Sequence, residues 1–112
     1  MIVSDVTAKV LERVYSVIKS RANSDPETSY VAALNHSGLT KVAEKFGEEA
    51  IETVISAVTR NRDQTIHESA DLLFMLMVLW AQMDISPEEI FAELTRREGT
   101  SGHQEKQMRD KG

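Results

Sequence analysis

Glu48-Glu49-Ala50-Ile51-Glu52-Thr53-Val54-Ile55 and, further along, Glu68-Ser69-Ala70-Asp71-Leu72-Leu73-Phe74-Met75-Leu76-Met77 set carboxylates directly among apolar residues. An unpaired carboxylate in a dry core costs several kcal/mol or protonates. The spacing turns this conflict into a geometry. Glu49 and Glu52 stand three apart, as do Glu68 and Asp71, so on helices each pair shares a face. Glu52 with Glu68, and Glu49 with Asp71, are both centred on position 60. An antiparallel helical hairpin folded about that position brings all four carboxylates to one level. Residues 59–64 are the most polar short stretch of the region and read as the helix connection. The competing reading is two solvated helix faces, with Lys45 and Glu49 as a surface ion pair worth ~0.3 to 0.5 kcal/mol.

Outward from the hairpin the pattern stays helical. Apolar residues at Val42, Ala43, Phe46, Ala50, Ile51, Val54, Ile55 and Val58 form a wide stripe over residues 39–60. Gly47 interrupts it at a cost of roughly 1 kcal/mol relative to Ala, which implies a close approach by a neighbouring helix or a phosphate, the helix being the commoner answer. The second arm runs over residues 63–83. Upstream, Val6, Val10, Val14, Val17 and Ile18 predict a first helix capped by Ser4 or Asp5. Ser24 or Asp25 as cap, with Pro26 first, predicts a short helix over 26–35, and His36-Ser37-Gly38 stops it. Downstream, Ser86, Pro87 and Glu89 spell a capping box for a last helix carrying Ile90, Phe91 and Leu94. From Gly99 onward no periodic apolar face appears, so residues 1–98 read as one domain and 99–112 as a mobile tail.

No alternating strand pattern persists, and the expected fold class is all-α, a helical bundle around the central hairpin. Residues 72–81 are apolar nearly all round, which predicts burial on more faces than one small bundle easily supplies and hence a homodimer with a helical interface; the competing reading is a monomer whose terminal helices wrap that segment. That run is about half of the ~20 residues a membrane span needs.

Composition narrows the function. A chain of 112 residues with 41% hydrophobic and 28% charged content suits a single folded domain. The net charge of -5 disfavours nucleic acid, and no basic stripe with interleaved aromatics offsets it. Cysteine is absent, which removes disulfides, zinc-thiolate sites and cysteine nucleophiles. The amino terminus has no secretory pattern, so a cytoplasmic location is expected. No P-loop and no Gly-x-Ser-x-Gly element is present. His36, His67 and His103 show no ligand spacing and read as loop, helix or tail residues.

Clustered carboxylates without histidine suit Mg²⁺, or Mn²⁺, better than zinc. Such a cation bridges protein to polyphosphate, while a spare carboxylate orients an attacking water. Glu48, turned by ~100° from Glu49 on the helix, is a candidate for that base or for a second metal, against a solvated role in the Glu44, Glu48, Glu52 column. Lys41 and Lys45, two turns and one turn before Glu49, are candidates to hold substrate phosphates.

These residues also carry a resemblance. Glu48-Glu49-Ala50-Ile51-Glu52 followed by Glu68-Ser69-Ala70-Asp71 resembles the signature of the all-α nucleoside triphosphate pyrophosphohydrolases. Ser29-Tyr30, Leu34, Gly38, Lys41-Val42, Lys45-Phe46-Gly47-Glu48-Glu49-Ala50, Glu68 to Phe74, Glu93-Leu94 and Arg96-Arg97 resemble the phosphoribosyl-ATP pyrophosphatase family of histidine biosynthesis. The resemblance implies Mg²⁺-dependent hydrolysis of the α-β phosphoanhydride of phosphoribosyl-ATP, giving phosphoribosyl-AMP and pyrophosphate, in a homodimeric enzyme. It puts Glu49, Glu52, Glu68 and Asp71 on metal-ligand positions, with Glu48 beside them. Val31 stands where the family usually has Thr, and Met75 where it commonly has His. The cyclohydrolase domain often fused in this pathway would bring cysteines for zinc, so only the one step is expected. Two alternatives share the site: a house-cleaning hydrolase of non-standard or deoxy nucleoside triphosphates, and a helical metal-binding dimer without turnover.

Overall fold

Residues 6–111 are described by a computed structural model, in which every regular element is a helix. In chain order these are α1 (Val10–Arg21), α2 (Tyr30–Ser37), α3 (Leu39–Val58), α4 (Arg62–Gln82), α5 (Pro87–Arg97) and α6 (Gly102–Lys111). The all-α expectation holds. The caps proposed at Ser4 and Asp5 lie outside the described residues; α1 itself starts at Val10 without a side-chain cap.

The long hairpin is α3 and α4, joined through Thr59, Arg60 and Asn61. Two devices make that turn. The Asn61 and Arg60 amides donate back to the Ser56 and Ala57 carbonyls, and Arg60 takes a left-handed φ of 59°. The Asn61 side chain then accepts from the Gln64 amide and caps α4. Gly38, between α2 and α3, has φ 93° and ψ 163°, a conformation open to glycine alone, so α2 can end and α3 begin with no spacer.

The second helix starts later than Ser24, Asp25 and Pro26 suggested. Asp25 Oδ1 accepts from the Glu27 amide, and its carbonyl accepts from the Thr28 and Ser29 amides. This closes a local turn around Pro26, and Ser29 caps the helix instead, its Oγ accepting from the Ala32 amide at 3.2 Å. The Ser86, Pro87 and Glu89 capping box is formed as read. Over the tail, Ser101 and Gln104 exchange hydrogen bonds at 3.1 Å, a reciprocal cap that starts α6. The described side chains of α6 are all exposed.

The core sits at the open end of the hairpin. Ile18, Leu34, Val42, Met75, Met77, Val78 and Trp80 are buried, with Leu11, Val14, Tyr15, Val31, Phe46, Phe74 and Ile90 packed around them. Every core residue from α3 lies at or before Phe46, and every one from α4 at or after Phe74. Hydrogen bonds lace the terminal helices onto this end: Tyr15 Oη donates to the Ile85 carbonyl at 2.6 Å, and Gln82 Nε2 to the Leu34 carbonyl at 3.3 Å. Residues 72–81 are therefore covered largely within the chain, with Leu73 their one exposed large hydrophobe.

The uncovered apolar surface lies elsewhere. Ile51, Val54, Ile55 and Val58 of α3 are 62%, 58%, 55% and 73% exposed, and Ile66 of α4 is 56% exposed. They mark the outer half of the hairpin, which no other described helix covers. A radius of gyration of 16.4 Å, against ~13 Å for a compact chain of this length, fits an arm that stands off the core. Gly47 does not serve a close approach inside the chain, since a Cβ there would meet nothing within 4 Å. No single helix among the described residues is long and apolar enough to cross a membrane.

Candidate functional site

Beyond the core, the hairpin brings Glu49, Glu52 and Glu68 together and sets Asp71 beside Glu68. Oxygens of Glu49, Glu52 and Glu68 lie within 4.8 Å of one another, and a second set, also within 4.8 Å, joins Glu68 and Asp71 to a nitrogen of His67. Glu68 belongs to both sets. It is 8% exposed although it carries a carboxyl group. One of its oxygens accepts from Gln64 Nε2 at 2.7 Å. The other, and Glu49 Oε2, are buried with no hydrogen-bond partner among the described atoms. Thr53 Oγ1 lies between the arms, donating to the Glu49 carbonyl at 2.8 Å with the Glu68 carbonyl 3.4 Å away.

Electrostatics follow from that crowding. Burial, then the charges of Glu52, Asp71 and Glu68, raise the Glu49 carboxyl above its ordinary range. The approach of Glu68 raises that of Glu52. Asp71 finds an ion partner in His67 Nε2, 3.4 Å away. Orphaned carboxylate oxygens converging from two helices are the donor set of a hard divalent cation, and the residues present fit one.

Glu48 goes elsewhere. It is exposed and lines a cavity of about 400 Å³ between α2 and α3, together with Tyr30, Ala33, Leu34, Ser37, Lys41, Glu44 and Lys45. Its charge still reaches Glu52. Lys41 and Lys45 thus share a concave surface immediately before the carboxylates on α3, Lys41 with Glu44 at 3.8 Å. On the other side of the cluster, toward the hairpin turn, Glu52 and Glu68 border a cleft with Ile55, Ser56, Thr59, Asn61 and Gln64.

Sequence reasoning missed Gln64 and His67. Each stands four residues before a carboxylate it meets, Glu68 and Asp71 respectively, so helical spacing carried the signal. It also missed the place of Tyr30. The two departures noted above fall in or against the core rather than at the carboxylates: Met75 is 3% exposed and Val31 packs beside it.

Comparison with known proteins agrees in one direction. Residues 11–98 match the sequence model of the family described as phosphoribosyl-ATP pyrophosphohydrolase. A phosphoribosyl-ATP pyrophosphatase of Paramagnetospirillum magneticum is 50% identical over 104 residues, covering 93% of this chain and 95% of the relative. Another, from Rhizorhabdus wittichii, is 52% identical over 102 residues, covering 91% of this chain and 96% of the relative. A third, from Azospirillum brasilense, is 50% identical over 104 residues, covering 93% and 94%.

Proposed function

Because this chain belongs to the phosphoribosyl-ATP pyrophosphohydrolase family, we propose that it hydrolyses phosphoribosyl-ATP to phosphoribosyl-AMP and pyrophosphate, a step of histidine biosynthesis. Water adds its oxygen to phosphorus, and the α-β anhydride P–O bond breaks. The observation that carries the reading is the convergence of Glu49, Glu52 and Glu68, with Asp71 on the next turn, around oxygens that have no hydrogen-bond partner.

In this proposal Glu49, Glu52, Glu68 and Asp71 hold Mg²⁺, or Mn²⁺. The cation supplies neutralisation of the charge on the phosphoryl oxygens. Gln64 holds one oxygen of the Glu68 carboxylate, so that the other would be available to a cation. Glu48, beside the ligands but outside the cluster, orients and deprotonates the attacking water. Lys45 and Lys41 hold substrate phosphates in the adjoining cavity. A cytoplasmic location belongs to the same reading, because the nucleotide substrate is made there.

The enzyme acts as a homodimer. Support comes from the apolar face of the outer hairpin, Ile51, Val54, Ile55, Val58 and Ile66, which a second copy buries against its own equivalent. Ile55 also borders the cleft beside Glu52 and Glu68, so the interface runs along the site. The deciding experiment is pyrophosphate release with Mg²⁺, comparing phosphoribosyl-ATP with ATP and deoxy or modified nucleoside triphosphates. Release from phosphoribosyl-ATP is expected. Preference for another triphosphate reassigns the substrate, and no release from any of them overturns the enzyme reading.

A further inference from the structure

Phosphoribosyl-ATP differs from ATP by a ribose phosphate on the far side of the base, so an enzyme that prefers it needs a cationic contact beyond the base. Resting on the activity proposed above, we infer that the cavity between α2 and α3 is that discriminating subsite: Tyr30 stacks on the purine and Lys41 binds the phosphate monoester of the second ribose. Four observations carry this. The cavity, about 400 Å³, lies in the range of roughly 300 to 1,000 Å³ typical of small-molecule sites. Tyr30 is 59% exposed as a residue, and its ring is not loose, because Phe74 stacks behind it with centroids 6.3 Å apart and planes 20° from parallel. A backed, open aromatic face is a platform for a base. Ala33 and Leu34 line the same wall without competing polar groups.

Position along α3 divides the labour of the lysines. Lys45 is one turn before Glu49, ~6 Å along the axis, and Lys41 two turns, ~12 Å. Lys45 is placed for the triphosphate held at the carboxylates, and Lys41 for the opposite end of the substrate. The Lys41 contact to Glu44 is long, 3.8 Å, between side chains 68% and 57% exposed, so a phosphate dianion displaces it readily. Glu44, also lining the cavity, is then free to accept from ribose hydroxyls.

The test is equilibrium binding of the product phosphoribosyl-AMP and of AMP, with Mg²⁺ present, alongside turnover of phosphoribosyl-ATP. Wild type binds phosphoribosyl-AMP more tightly than AMP. Lys41→Ala loses that preference by about tenfold or more while AMP affinity shifts less than twofold. Tyr30→Ala weakens both ligands by about tenfold, and Tyr30→Phe restores them. If Lys41→Ala leaves the preference intact, or weakens both ligands alike, the subsite is overturned. Wild-type turnover of phosphoribosyl-ATP in that case leaves the activity standing. Absent turnover with the preference lost in Lys41→Ala fails the activity and keeps the pocket. Both variants are exposed, and far-UV circular dichroism checks that helicity is unchanged.

Discussion

At its open end the α3/α4 hairpin encloses Val42, Met75 and Val78, wrapped by α1, α2 and α5; toward its turn the same two helices enclose Ser56, Thr65 and Glu68. The two ends are held by different physics. The core end gains from burial of apolar side chains, each worth roughly 1.5 to 3 kcal/mol. The outer end encloses hydroxyls and carboxylates, whose hydrogen bonds contribute roughly 0.5 to 1.5 kcal/mol net each, or about 1.5 to 3 where a partner is charged, and it crowds like charges. It also leaves Ile51, Val54, Ile55 and Val58 uncovered. An arm so built gains little from its own packing; in the proposed reading, a cation between the carboxylates and a second copy over the apolar face would supply what is missing. The site occupies the half of the hairpin that its own core does not rigidify.

Removing a carboxylate tests the contrast most severely. Glu49→Gln or Asp71→Asn is expected to lower kcat by about 10³-fold or more with helicity unchanged, because the folded core lies beyond Phe46 and Phe74. Wild-type turnover in either variant breaks the metal assignment.

The apolar face comes next. A carboxylate at Val54 is harmless on a monomer, where the position faces water, but ruinous within an interface. Val54→Glu is therefore expected to sediment at the monomer mass, against a dimeric wild type, with a lower Tm. A monomeric wild type, or a variant whose mass does not change, removes the second copy from the account.

A smaller effect separates the two ends by pH. Glu49 and Glu52 bind their protons more tightly in the folded chain than in the unfolded one. Their repulsion is therefore present at neutral pH and is relieved as pH falls through their raised values toward the ordinary 4.5. Without metal, Glu49→Gln should melt a few degrees above wild type at pH 7, and the gap should close near pH 4.5. Mg²⁺ at pH 7 should raise the wild-type Tm more than the variant's. A gap of the same size at both pH values denies the crowding at the outer end.

Outside the hairpin, on α5, Glu93 provides the mildest contrast. Hydrogen bonds from Arg96 and then Arg97 lower its carboxyl to about 2. Its contribution is fully present above 4.5 and lost as pH falls through about 2. The groups are half exposed, so Glu93→Gln should shift the urea midpoint only slightly at pH 6. That difference should narrow between pH 4.5 and about 2. A constant difference over that window would mean the variant acts through packing.

Much of the site was legible because it is written in local spacing. The two i,i+3 pairs and their common centre at position 60 are properties of a helix and an antiparallel turn, and Asn61 and Arg60 make that turn where expected. The Gln64 and His67 contacts obey the same helical rule but were hidden, since a glutamine or histidine before a carboxylate is common on helices without consequence. The Ser101 and Gln104 cap of α6 was equally present in the sequence, and the absence of an apolar face drew attention away from it.

Other features depend on which face of a helix meets a neighbour. The apolar stripe of α3 reads as continuous, yet Val42 is buried and Val58 lies 73% in water. Conversely the apolar run in α4, which invites an outside partner, is wrapped by α1, α2 and α5. Periodicity reports that a face is apolar; the rest of the chain decides what covers it.

The sequence by itself determined the central helices, the hairpin about position 60 and the placing of Glu49, Glu52, Glu68 and Asp71 on its two arms, because backbone hydrogen bonding and helical pitch act over a few residues. Tertiary structure alone decided three things: that Glu68 is buried with an orphaned oxygen, that Tyr30 stands against Phe74 over a cavity shared with Lys41, and that the outer arm is bare. Each depends on residues distant in sequence filling or leaving space, and close packing of side chains fixes that only when the whole chain has folded.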